Sequence, residues 1–357
     1  MNSPVRNFRN FSFAFSFLIL IACQKDNSSS VQTDPNSIVV QVQSTKDLGA
    51  LSMPPALAGR DGGQSVLISG IIKWIFGDSF FTKKAVDGMQ YRTNTSTQST
   101  VATPLATSEP LDANGVSPQF IPFTADEKKF NDSTNDPTNR IGLWPTGIVT
   151  NDNNNALVFF TKLYLTTTKW TDYGIGIAHY TPGQTNAIRN ADLLFHYPEP
   201  NFQKPFIHNQ YLYVYAQLRN KPGAGIGRAP VSSAENRSAY EFWDGSNWVK
   251  DINAAAVILD VLPGSVSYNP YFKMLINVYD EPFNNTAFIR FANNPEGPWS
   301  KKQVLYVTPA PSTGNNYIIN EHVELSKNNG KTITISYSHP LPAFLAGEIR
   351  LVEINFE

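Results

Sequence analysis

The chain has 357 residues, with 28 basic and 29 acidic side chains, a formal net charge of −1 and only 16% charged residues. Neutralising phosphates takes a concentrated basic surface, and no basic stripe is present, so the composition argues against a nucleic-acid partner. Gly 22 and Pro 25, with abundant Asn, Ser and Thr, are the punctuation of many short strands, and a helical bundle is disfavoured.

At the amino terminus, Arg6 and Arg9 precede an apolar run from Phe11 to Ile21 broken only by Ser12 and Ser16. This is the charged and apolar pattern of a secretory signal, and it is too short to span a bilayer comfortably. The run ends in Leu20-Ile21-Ala22-Cys23, which resembles the lipobox of bacterial lipoproteins. The resemblance implies cleavage before Cys23 and acylation of that residue; otherwise Cys23 is an ordinary residue of a cleaved signal. Several acyl chains anchor stably where one would not, so the membrane is met through lipid only and the globular part is soluble. Cys23 is the only cysteine, which leaves no disulfide, thiolate metal site or thiol nucleophile. Gln24-Lys25-Asp26 favours the bacterial outer membrane, on its periplasmic or cell-surface face. The expected organisation is a signal peptide at 1–22, a lipid-anchored flexible tether at 23–37 and one β domain at 38–357, acting as a monomer.

From Ser37 onward short apolar segments alternate with turn clusters: SIVVQVQ, SVLIS, IIKWIFG, ALVFFTKLYL, YLYVYAQL, FKMLINVY, AFIRFA, QVLYV, TITISYS and EIRLVEINF. Each is short, β-branched or aromatic, and bounded by Gly, Pro, Asn or Asp, as strands require. No segment reads as a long amphipathic helix. Ile175-Gly-Ile-Ala178, Ile226-Gly-Arg-Ala229, Ile289-Arg-Phe-Ala292 and Ile349-Arg-Leu-Val352 recur at nearly constant spacing. Several strands per period of roughly 50 to 60 residues is the signature of propeller blades, and the mature length divides into five. The fold class is therefore all-β, a five-bladed β-propeller, with a β-sandwich or two β domains as the alternative. Met89 to Arg140, rich in Thr, Ser, Asn and Pro, is read as the outer part of the first blade with long loops.

Two carboxylates stand out. In Gly59-Arg60-Asp61-Gly62-Gly63-Gln64-Ser65 the glycines permit close backbone approach and hold Asp61 near a cavity. Asp78, in Trp74-Ile-Phe-Gly77-Asp78-Ser79-Phe80, reaches the same mouth unless either aspartate is simply a turn former. Asp280-Glu281 is another acidic pair, read as a turn.

The segments GRDGGQS, WIFGDSF, YRTNT, LWPTG, AYEFWDGSNW, SVSYNPYF, NNPEGPWS and the terminal TITISYS and GEIRLVEI resemble, in order, the bacterial family known as domain of unknown function 4185. The resemblance implies a five-bladed propeller related to glycoside hydrolases, some relatives of which cleave D-arabinan; most members have no known substrate. Glycosidic cleavage needs two carboxyl groups, an acid and a base or nucleophile. By that resemblance Asp61 is the first catalytic candidate and Asp78 the second. Glu321, in Asn320-Glu321-His322 at the start of the last blade's inner strand, is the acid partner unless it is a solvated edge residue. Arg60, Arg92, Asn94 and His322 are candidates to bind sugar hydroxyls, and Trp144 to stack on a sugar face. Ser79 stands where the family commonly has Thr, a change that keeps the hydroxyl, and the loop TNTSTQST is richer in Thr and Ser than expected.

Other chemistries lack support. There is no GxSxG, HExxH, GxxxxGK[ST] or GxGxxG motif, and the five histidines are scattered. No metal or cofactor is expected. The function expected is binding and hydrolysis of a polysaccharide outside the cytoplasm, the alternative being a non-catalytic glycan-binding or adhesion lipoprotein.

Overall fold

The computed structural model describes residues 33–150 and 154–357. The expected signal peptide, Cys23 and the tether as far as residue 32 lie outside the described residues.

After a short 3-10 turn, β1 (Val42–Ala50) is followed by five groups of strands. The first holds β2 (Leu57–Ile68), β3 (Ile71–Phe81), β4 (Tyr91–Arg92) and β5 (Thr95–Ser99). Helix α1 (Ala125–Thr134) leads to the second, β6 (Arg140–Thr150), β7 (Ala156–Leu165), β8 (Trp170–Tyr180), β9 (Ile188–Arg189) and β10 (Phe195–His196). The third holds β11 (Gln203–His208), β12 (Tyr211–Gln217), β13 (Ala224–Pro230), β14 (Glu241–Trp243) and β15 (Trp248–Val249). The fourth holds β16 (Ser265–Asn269), β17 (Met274–Asp280), β18 (Thr286–Ala292) and β19 (Gln303–Val307), and the fifth β20 (Tyr317–Glu321), β21 (Thr332–Pro340) and β22 (Gly347–Phe356). Within every group the paired strands run antiparallel.

The middle strands are the most apolar segments because both faces are covered: β7, β12 and β17 are nearly continuous buried runs. The faces pack group against group. Val158 and Ala178 of the second group share a core with Ile75 of the first; Phe159 and Ile177 share one with Val214 and Ala229 of the third. Tyr215 meets Leu275 of the fourth, Ile276 and Ile289 meet Ile333 and Ile354 of the fifth, and Trp74 and Phe76 of the first meet Ile349 and Leu351 of the fifth. The first strands of the groups, β2, β6, β11, β16 and β20, neighbour one another in that order, and β20 neighbours β2.

The four repeated segments fall on β8, β13, β18 and β22, the third strand of four different groups, so the spacing in the sequence marks equivalent positions. Two local expectations shift. The segment SIVVQVQ enters a strand only at Val42, and Thr33 and Asn36, within the expected tether, are already hydrogen-bonded to Asn293 and Lys301. The polar stretch before Arg140 contains a helix, nucleated by a reciprocal capping box in which Thr124 accepts from the Glu127 N–H and Glu127 accepts from the Thr124 N–H. β4 and β5 from the same stretch pair with β3, as outer strands of the first group.

Candidate active site

Asp61 sits where β2 departs from regular pairing. Arg60 pairs with Ser79 and Gly62 with Phe76, so one residue of β2 opposes two of β3, Gly77 and Asp78. Gly62 and Gly63 take the positive φ values of 95° and 85° that this bend demands. Gly77 makes room for the carboxylate: a Cβ there would lie 2.4 Å from Asp61 Oδ1. The irregularity thus aims Asp61 across the start of Asp78, whose backbone N–H donates to the Asp61 carboxylate.

The two aspartates differ in surroundings. Burial, then the charge of Asp78, pushes the Asp61 pKa up to about 7 against weaker opposition from the Tyr317 hydroxyl and Arg140. Tyr317 OH donates to Asp61 Oδ2 at 3.4 Å. Both oxygens of Asp78 are engaged, Oδ2 by Arg140 Nη2 at 2.6 Å and Oδ1 by Trp144 Nε1 at 2.9 Å. A carboxyl able to hold its proton near neutrality therefore lies next to one fixed in an ion pair. The pair faces open space: a cavity of about 490 Å3 lined by Asp61, Asp78, Tyr317, His339 and the loop to Gly347, and one of about 650 Å3 lined by Asp61, Trp144, Trp170, Asp172 and Tyr317.

Glu321 was expected beside these aspartates, and it is not there. Tyr317 reaches Asp61 from the start of β20, whereas Glu321 ends that strand four residues on, in an adjoining cavity of about 300 Å3 with Ser65, Ser267 and Glu324 that meets the larger one at Gln64, Thr146 and Lys204. Burial, then the Glu324 charge, raises its pKa to about 7 against the Ser267 hydroxyl, which donates to Oε2 at 2.7 Å. His322 is fully buried behind that cavity, between Ser65 at Nδ1 and Ser336 at Nε2.

Three other sugar-binding candidates are structural by their contacts. The Arg60 side chain is inaccessible, stacked on Phe76 with its guanidinium 3.8 Å from the ring centroid and paired with Glu109 at 3.0 Å. Arg92 donates to the Ser117 carbonyl and pairs with Asp87. Asn94 is buried and bridges the Leu143 carbonyl to the Ile121 N–H. Trp144 lines the cavity of about 650 Å3 beside Asp61, and Arg60 borders the one of about 490 Å3 without an accessible side chain. Sequence reasoning missed Tyr317, Arg140, Trp170 and Asp172; the first was legible as the head of the strand already chosen for Glu321. Among the described residues no three His, Cys, Asp or Glu side chains converge as metal ligands.

The family model for the domain of unknown function DUF4185 matches residues 41–339. The chain belongs to this family. No curated protein matches it closely enough to indicate kinship. Solved structures share its fold at low identity. A candidate hydrolase from Bacteroides ovatus superposes with a TM-score of 0.59 at 14% identity, covering 84% of this chain and 87% of that one. Zg3597, a family 117 glycoside hydrolase produced by the marine bacterium Zobellia galactanivorans, gives 0.53 at 11% identity over 90% and 92%. CoXyl43, a GH43 β-xylosidase/α-arabinofuranosidase from a compost microbial metagenome in complex with xylotriose, gives 0.51 at 11% over 87% and 98%. At such identity the DUF4185 chain shares architecture with these enzymes, and its chemistry must be argued from its own residues.

Proposed function

We propose that this DUF4185 protein is a five-bladed β-propeller glycoside hydrolase acting on a polysaccharide outside the cytoplasm, with Asp61 and Asp78 as its working carboxyls. The observation that carries the reading is the unequal aspartate pair at the floor of an open cavity, one carboxyl raised to about 7 and the other held by Arg140. Unequal carboxyls are what glycosidic cleavage uses. Asp61, protonated, gives its proton to the leaving glycosidic oxygen as the C–O bond breaks. Asp78, ionised, faces the positive charge that develops on the sugar ring; water supplies the hydroxyl that completes hydrolysis, and its released proton returns to the now ionised Asp61. The cyclic neighbouring of the five first strands supports the propeller.

The test is a screen of furanose and pyranose polymers, D-arabinan first, for released reducing ends. Asp61→Asn should suppress hydrolysis by roughly 10²- to 10⁴-fold, the usual worth of general acid catalysis, with folding intact. Undiminished activity would remove Asp61 from the mechanism. A second reading, glycan binding without turnover, draws on the fact that both Asp78 oxygens already have donors; binding of every polymer with cleavage of none would favour it.

The signal pattern and lipobox support anchoring through Cys23 at the outer membrane. Cys23→Ser should abolish palmitate incorporation, and unchanged labelling would sink the anchor.

A further inference from the structure

The cavity of about 650 Å3 beside Asp61 has an aromatic wall that the catalytic reading leaves unused. Trp170, the first residue of β8, is 68% exposed and presents its indole to the open cavity. Its ring meets the Trp144 ring edge to face, with centroids 5.1 Å apart and planes at 81°. Trp144 is in turn fixed through its indole N–H to Asp78. The Trp170 ring is therefore held by a neighbour tied to the proposed reaction centre. The polar side of the same cavity carries Asp172 and Asn201. The Asn201 amide donates to Asp172 Oδ2, and Arg219 Nη2 reaches the same oxygen at 3.1 Å.

An exposed, orientationally fixed aromatic face next to a rigid set of amide and carboxylate groups matches a pyranose or furanose ring, which offers apolar C–H faces and hydroxyls around its edge. We propose that Trp170 is the stacking platform of a glycan subsite adjoining the Asp61–Asp78 centre, with Asp172 and Asn201 binding hydroxyls of the sugar that lies on it. The inference rests on the hydrolase reading and adds to it where the neighbouring unit of the polymer sits.

A platform binds the ground state and the transition state alike, so its loss should appear in KM rather than in kcat. Trp170→Ala should raise KM by roughly tenfold with kcat little changed, while Trp170→Phe retains most of the affinity. The probes are D-arabinan and xylan oligosaccharides of increasing length. In an Asp61→Asn background, intrinsic tryptophan fluorescence should shift on binding, and the affinity gained by extending the probe onto the platform should vanish with Trp170→Ala. Circular dichroism checks the fold. Turnover by the natural chain with KM and length dependence unmoved in Trp170→Ala would overturn the platform and leave the hydrolase standing. Neither binding nor turnover of any probe by the natural chain would overturn the hydrolase reading and the platform with it.

Discussion

Asp61 and Glu321 are raised to about 7 for the same first reason, burial, with a nearby carboxylate adding to the rise in each case. Their surroundings separate them. Asp61 opens onto the large cavities with Trp144 and Tyr317, while Glu321 is held by Ser267 at a smaller one. A carboxyl whose folded pKa exceeds its unfolded value keeps an extra proton in the folded state. Its contribution is therefore fully present below about pH 4 and is lost as pH rises through about 7. Glu321→Gln removes that ionisation and keeps an acceptor for Ser267, so the variant should melt a few degrees above the natural chain at about pH 8 and together with it at about pH 4. Hydrolysis should survive in Glu321→Gln. Melting curves across pH, beside the polymer assay, check both parts, and a collapse of activity would return Glu321 to the mechanism. The aspartates were legible in the sequence because their glycines advertise a special backbone. Glu321 was not placed, because the strand's inward end cannot be told from its outward end without the register. Nor could Arg60 be read as structural when its partner, Glu109, lies 49 residues away.

At the level of elements, patterns that arise locally were the readable ones. β7, β12, β17 and β21 follow the apolar runs almost residue for residue, since buried middle strands need no polar alternation. α1 escaped notice although its Thr124-to-Glu127 capping signature stands in the chain. Only two of its residues, Glu127 and Asn131, are buried, so it lacks the apolar stripe by which a helix announces itself. What holds it is tertiary: Glu127 pairs with Arg189 of β9 and with Lys162 of β7, each at 2.6 Å. These contacts outweigh burial and pull the Glu127 carboxyl down to about 2. The helix is thereby clamped to the second group just before β6, the strand that carries Arg140 and Trp144 to Asp78. The polar, loop-like stretch thus helps to set the site.

Across the whole molecule, the first and last strands of the described residues meet in one sheet. β1 pairs antiparallel with β22 from Val42 opposite Phe356 to Ala50 opposite Arg350, and so supplies the fourth strand of a group whose other three come from the last 41 residues. Leu51, just after it, is buried against Trp74 and Leu351, at the seam between the first and fifth groups. If the five groups form the proposed closed ring, this pairing is its main clasp, because among the described residues the other strand pairing between the start and the end of the chain is a single parallel pair, Gly59 of β2 opposite Gly347 of β22. Deleting residues 38–51 should expose the edge of β22, empty part of the seam and cost several kcal/mol, well beyond the loss of one buried leucine. The truncated protein should melt far lower or aggregate. A circular permutant makes the argument specific. Joining Glu357 to Gln41 by a short linker and opening the chain after Leu51 keeps β1 but places it directly after β22, as an ordinary hairpin. The Glu357 N–H already lies 3.0 Å from the Gln41 carbonyl, so little linker is needed. The permutant should fold with the natural circular dichroism spectrum and a Tm close to that of the parent, while the deletion should not. A deletion that melts like the full chain, or a permutant as damaged as the deletion, would show that β1 is an accessory strand and that the ring is closed by the β2–β22 pairing and side-chain packing.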